Sequence, residues 1–272
     1  MNDTVPLWTP SREFIEKSPM YAFMQRCNEA FGLSLQDYAG LHAWSIAERE
    51  HFWSTLWDFC GVRGERGERV LADGDLMLKA RFFPDARLNF AENLLRNSGE
   101  GDALIFRGED KVQDRWSWNR LHETVSKLQQ AYRALGIGEG DRIAAMMPNM
   151  PETIACMLAA ASIGAIWSSC SPDFGEQGVL DRFGQIGPKL FIACDAYWYN
   201  GKLQDVSAKV GTVAGKLQAP SMIVHYAGDA DAVAAAIPGA KTFDAMIARV
   251  AAYEAKHGPN AIHHIQYKAL VA

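Results

Sequence analysis

The residues best placed to meet a charged ligand are Tyr199, Asn200, Gly201 and Lys202, which follow an apolar run ending at Cys194. If that run is a strand and a helix opens near Lys202, the four lie beyond a strand C-terminus, where α/β sheets place ligands. A helix N-terminus offers free N–H groups, Gly201 lets a backbone approach closely, and Lys202 adds charge, so the implied chemistry is phosphate binding. The plainer alternative is a solvated lysine beginning an ordinary helix, steadied by Asp205 and Lys209 one turn apart.

Other constellations fail on order or spacing. Gly136-Ile137-Gly138-Glu139-Gly140-Asp141 has the glycines of a nucleotide loop, but it stands after a helix and before a strand, the reverse of the required order, and reads as a turn. Gly215-Lys216 follows Gly211 at the wrong distance, and Leu217 replaces the metal-binding hydroxyl of a phosphate loop. His122-Glu123 and His263-His264 lack the spacing and third ligand of a metal site, and no Gly-x-Ser-x-Gly elbow occurs. Pro148-Asn149-Met150-Pro151 follows the first buried strand where a dinucleotide fold would place glycines. The glycine- and arginine-rich stretch Gly61 to Arg69 reads as an exposed loop without a phosphate role.

The elements that must hold the candidate site follow from periodicity. The first eighty-odd residues are aromatic and helical in pattern, with Ser45 and Glu48 spaced as a capping box before Phe52, Trp53, Leu56 and Trp57. Ala103 to Arg107 and Val112 to Trp116 form a hairpin pattern, and Leu121, Val125, Leu128, Tyr132 and Leu135 mark a helix ended by Gly136. Strands are then expected over Arg142–Met147, Ala165–Cys170, Lys189–Cys194 and Met222–Tyr226. They alternate with helices over Pro151–Ile163, with Asn149 near its cap, and over Glu176–Ile186, Lys202–Leu217 and Phe243–His257. Near-continuous apolar strands separated by long helices indicate an α/β fold, a parallel sheet covered on both faces. The expected division is a helical region over 1–85 and an α/β portion over 86–272.

Composition sets the class of partner. With 27 Lys and Arg against 32 Asp and Glu, net charge −5, the chain offers no general attraction to nucleic acid or anionic lipid. The uncharged stretch Thr153 to Pro172 is about the length that spans a bilayer. Gly164 and four serines instead divide it into a buried helix and a buried strand. Five scattered cysteines without a Cys-x-x-Cys pair, and an N-terminus with no basic or apolar leader, point to free thiols in a reducing cytoplasm.

Ordered stretches across the chain resemble the acetoacetyl-CoA synthetases, a branch of the adenylate-forming family. They include Tyr38-Ala39-Gly40-Leu41-His42-Ala43-Trp44-Ser45, then Phe83-Pro84-Asp85-Ala86-Arg87-Leu88-Asn89-Phe90-Ala91-Glu92-Asn93, then Gly140-Asp141-Arg142-Ile143-Ala144. Cys170-Ser171-Pro172-Asp173-Phe174-Gly175 and Tyr199-Asn200-Gly201-Lys202 point to the acetoacetyl branch. The resemblance implies a two-step ligation in which ATP and a carboxylate give an acyl-adenylate, and the CoA thiol then displaces AMP. ATP and Mg²⁺ are implied for the whole enzyme. Their loop, a Ser/Thr/Gly-rich run ending in Lys, does not occur in His263 to Ala272, so the resemblance places it past Ala272. No catalytic residue and no metal ligand is therefore assigned, and the chain by itself is expected to make no adenylate.

By the same resemblance Gly201 and Lys202 fall on the end of a loop that touches the nucleotide end of CoA, with Tyr199 standing where an arginine is expected. Asp173 and Phe174 are neighbours of that site. Two other readings stay open, a stand-alone CoA-binding or interaction module without chemistry, and an acetyl- or propionyl-CoA synthetase portion. An exposed sheet edge and self-association are also expected.

Overall fold

The computed structural model describes residues 6–248 and 270–271. It divides into two compact units, Met1–Arg87 with Val271–Ala272, and Leu88–Leu270.

Among its described residues the first unit has four helices, α1 (Arg12–Glu16), α2 (Pro19–Phe31), α3 (Tyr38–Ala47) and α4 (Arg49–Phe59), then two-residue strands β1 (Leu71–Ala72) and β2 (Arg81–Phe82). Phe23, Met24, Cys27 and Leu41 form its centre, with Phe52, Leu56 and Trp44 packed around them. The aromatic stripe is therefore partly core. The expected capping box does not form: the Ser45 hydroxyl donates to the His42 carbonyl, and Glu48, itself the residue before α4, makes no side-chain cap. Ser45 lies in the last turn of α3 and Glu48 is the break between α3 and α4, so the pair does not sit at the start of one helix as a capping box must. The Gly61–Arg69 loop is largely exposed, and two of its arginines are engaged by acids, Arg66 with Asp58 and Arg69 with Asp85.

In the second unit, after β3 (Arg87–Leu88) at the boundary, Asn89 opens α5 (Phe90–Leu94). Its buried side chain accepts from Ala91 N and Glu92 N and donates to the carbonyls of Ala161 and Ser162 at 3.1 and 3.2 Å. The hairpin pairs β4 (Asp102–Gly108) with β5 (Val112–Ser117), and α6 (Trp118–Ala134) follows, ended by Gly136 at φ 73°. Leu121, Val125, Leu128 and Tyr132 bury the periodic face of α6, worth about 1.5–3 kcal/mol for each large side chain.

Five parallel strands form the sheet, β6 (Arg142–Met146), β7 (Ile166–Cys170), β8 (Leu190–Cys194), β11 (Ser221–Val224) and β12 (Lys241–Thr242), in the order β12-β11-β8-β6-β7. Helices α7 (Pro151–Ser162), α8 (Glu176–Phe183), α9 (Ser207–Leu217) and α10 (Ala230–Ala235) link them. The chain runs from β6 outward to β7, then returns past β6 to β8, so right-handed crossovers put α7 on one face and α8 and α9 on the other. In agreement, α7 packs on α6, and α8 packs on α9. Both faces are covered and the fold is α/β. β6, β8 and β11 are almost wholly buried, whereas edge strand β7 exposes Ile166 and Ser169.

The uncharged stretch from Thr153 divides into α7 and β7 as expected, but β7 is not the buried strand expected, since of its five residues only Cys170 is buried; no described helix is long and apolar enough to cross a membrane. The Gly136–Asp141 stretch is a turn, with Gly138 N donating to Asp141 and Lys189 pairing with the same carboxylate at 2.9 Å. Gly215 and Lys216 lie inside α9, where Lys216 pairs with Glu176. Asn149 does not cap α7, whose N-cap Met150 makes no side-chain bond. Of the helix expected over Phe243–His257, residues 243–248 are helical and the remainder lies outside the described residues.

The expectation for the candidate site is also overturned. No helix opens at Lys202. Ala196–Tyr199 (β9) and Lys202–Asp205 (β10) pair antiparallel, Tyr199 opposite Lys202, and α9 begins only at Ser207. Asn200 and Gly201 form the two-residue connection at φ 50° and 71°, the left-handed pair that an Asn-Gly hairpin turn requires.

Candidate functional site

The carboxyl ends of β6, β7 and β8 surround the point where the strand order reverses, the usual ligand crevice of an open α/β sheet. After β7 the chain makes a tight loop, 171–175. Ser171 donates to Asp173 at 2.7 Å and accepts from Asp173 N, while Pro172 is buried and Phe174 is 40% exposed. After β8 comes Tyr197 on β9, and its hydroxyl donates to Asp173. Because β6 lies between β7 and β8, this one bond ties the segments that follow β7 and β8 together across the end of β6.

The electrostatics follow from that bond. Tyr197 and then Ser171 hold the Asp173 carboxyl below the usual carboxylate range. Burial, and next the bond to Asp173, push the Tyr197 hydroxyl well above its ordinary value. Burial also raises Cys170 to about 11 and Cys194 to about 12, so neither thiol at these strand ends supplies a thiolate near neutral pH.

A second anchor lies at the ends of β8 and β11. Asp195 has a fully buried side chain and accepts from Ala196 N at 2.6 Å, Tyr226 N at 2.9 Å and Ala227 N at 3.2 Å, with His225 Nδ1 at 2.7 Å from its other oxygen. It fixes where both loops leave the sheet.

The four residues first singled out sit on the hairpin. Tyr199 and Lys202 are exposed on facing strands, and the Gly201 amide donates to Glu109 at 2.8 Å. Lys111, near the same β4–β5 turn, stands 5.9 Å from the Trp198 ring. The amide expected to meet a phosphate thus already meets a carboxylate, and the helix N-terminus expected beside it is absent. The Asp205–Lys209 pair does not form either. Asp205 accepts from Ser207 N at 2.8 Å, and Lys209 reaches instead to the carbonyls of Pro172 and Phe174. Asp173 and Phe174 do lie together on one loop at the crevice. Tyr197, Lys209, Glu109 and Asp195 escape sequence reasoning, because their partners are remote in the chain. The Asn200-Gly201 dipeptide was the available signal for the hairpin.

The acetyl-coenzyme A synthetase N-terminus profile matches residues 38–94, and the AMP-binding enzyme profile matches residues 91–267. This chain belongs to the AMP-binding enzyme family. It is 65% identical over 243 residues to an acetoacetyl-coenzyme A synthetase of Rhizobium meliloti (strain 1021), covering 89% of this chain and 37% of that protein. A malonamoyl-CoA synthetase of Penicillium aethiopicum is 38% identical over 226 residues, covering 80% of this chain and 31% of that protein. The solved acetoacetyl-CoA synthetase from Streptomyces lividans superposes with a TM-score of 0.84 at 29% identity, covering 98% of this chain and 40% of that one. The chain therefore spans well under half the length of these AMP-binding enzymes. Among its described residues no group of three or more His, Cys, Asp or Glu side chains could hold a metal ion.

Proposed function

We infer that these residues serve an ATP-dependent acid–thiol ligase that converts acetoacetate, ATP and CoA to acetoacetyl-CoA, AMP and pyrophosphate. The 65% identity to an acetoacetyl-coenzyme A synthetase over 243 residues carries this reading. Residues 1–85 act as its helical N-terminal region and 86–272 as the first part of its α/β portion. A carboxylate is a poor electrophile, and adenylation gives it a leaving group whose phosphate charge must be neutralised. ATP and Mg²⁺ supply that step when bound, and this chain contributes the opposite wall, which meets CoA.

On this reading the nucleotide end of CoA meets the 171–175 loop and the β9–β10 hairpin. Lys202 gives positive charge, Asn200 and Gly201 form the turn beside it, and Tyr199, Asp173 and Phe174 flank it. The ligand attraction rests on the Lys202 side chain, since the Gly201 amide is held by Glu109. The five cysteines are free thiols, which suits a cytoplasmic enzyme. The exposed edge of β7, with Ile166 about half exposed, suits self-association of the isolated chain.

In the full-length ligase, acetoacetate is expected to outperform acetate and malonamate in adenylation, and Lys202→Ala to raise the KM for CoA severalfold while leaving acetoacetate-driven ATP–pyrophosphate exchange intact. Equal rates with all three acids would overturn the substrate reading. An unchanged KM for CoA would overturn the site.

A further inference from the structure

The first turn of α9 carries a lysine where helix electrostatics disfavour one. Lys209 is the third residue of the helix, near the positive end of its dipole, and its partner one turn earlier, Asp205, is occupied by Ser207 N. Its ammonium instead donates to the Pro172 carbonyl and, at 2.9 Å, to the Phe174 carbonyl. Two carbonyls two residues apart in one loop thus converge on a single cation, and the loop cannot straighten without losing both bonds.

The same loop is braced elsewhere. Tyr197 holds the Asp173 side chain from β9. The Phe174 ring lies on α8, with the Arg182 guanidinium 5.2 Å from its centroid, and a Cβ on Gly178 would stand 3.6 Å from its edge. Side chains are therefore held from α8 and β9, whereas the backbone carbonyls of Pro172 and Phe174 are held from α9 by Lys209.

We propose that Lys209 is a positioning residue for CoA, holding loop 171–175 in the conformation in which Asp173 and Phe174 face the nucleotide end of the ligand. The proposal rests on the CoA reading of this site. Lys209 itself stays with the loop carbonyls and does not touch the ligand.

Two measurements on the 272-residue chain separate the possibilities: amide exchange by mass spectrometry at residues 173–175, and CoA affinity by titration calorimetry. Lys209→Met is expected to speed exchange at those amides and to raise the Kd for CoA about five- to tenfold, as for the loss of one charge-assisted contact. Lys209→Arg is expected to recover most of both. If Lys209→Met fails to fold by circular dichroism, Lys209→Gln gives the same two readouts. Unchanged exchange would overturn the positioning role, and faster exchange with an unchanged Kd would overturn its link to CoA. A wild-type chain with no affinity for CoA would overturn the site reading itself, and the CoA role of Lys209 with it.

Discussion

Asp195 is the group whose loss the strand ends should tolerate least. Its fully buried side chain accepts three backbone N–H groups and lies 2.7 Å from His225 Nδ1, so Asp195→Ala strands three backbone donors where β8 and β11 leave the sheet. Each hydrogen bond to a charged group contributes about 1.5–3 kcal/mol. Removing the carboxylate also removes its own desolvation cost, and His225, 64% exposed, gives water a route to the vacated donors. The net loss expected is about 3–5 kcal/mol, a fall of roughly 6–20 °C in Tm for a unit of this size. Asp195→Asn keeps the shape and one acceptor oxygen and should cost about 1–3 kcal/mol. His225→Ala should cost under about 1 kcal/mol, because the imidazole is mostly solvated. Urea unfolding followed by tryptophan fluorescence, with calorimetry to separate the two units, measures all three. An Asp195→Ala chain within about 0.5 kcal/mol of wild type, or a His225→Ala loss as large as that of Asp195→Ala, would refute the anchoring argument.

Asn89→Ala removes both the α5 cap and the donor to two α7 carbonyls, and is expected to cost about 2–4 kcal/mol by denaturant unfolding. The Tyr197–Asp173 bond lowers the folded-state pKa of Asp173, so its stabilisation is full above the carboxyl's ordinary value of 3.8 and is lost as pH falls through the lowered folded value. Tyr197→Phe should therefore lower stability at pH 6, by less than about 1 kcal/mol because Asp173 is exposed, and the Tm values of variant and wild type should converge in acid. A gap that does not narrow as pH falls through the acid range would contradict this. The 272-residue chain should catalyse no acetoacetate-driven ATP–pyrophosphate exchange, and light scattering should find it self-associated at high concentration. Measurable exchange, or a strict monomer, would count against these two expectations.

Most of the sheet was legible in the residues. The alternation of apolar runs with helical periods located β6, β8 and β11 within one or two residues, because a strand buried on both faces must be apolar throughout, and edge strand β7, which is not, was located by its place between two helical periods. The Asn-Gly pair at 200–201 also carried its own turn, yet the residues from Lys202 to Leu217 contain a helical period that hides a four-residue strand at their start. Periodicity averages over a window longer than β10, so it could not see it. What only the tertiary structure decided is which polar groups meet. Lys209 stands one turn from Asp205 in sequence, but turns to carbonyls 35 and 37 residues away, and Asp195 draws on amides 31 and 32 residues further on. Chain spacing governs partners only within a helical turn or a strand pair. Once parallel crossovers bring remote strand ends side by side, the buried donors and acceptors there must satisfy one another, and the sequence alone does not say which.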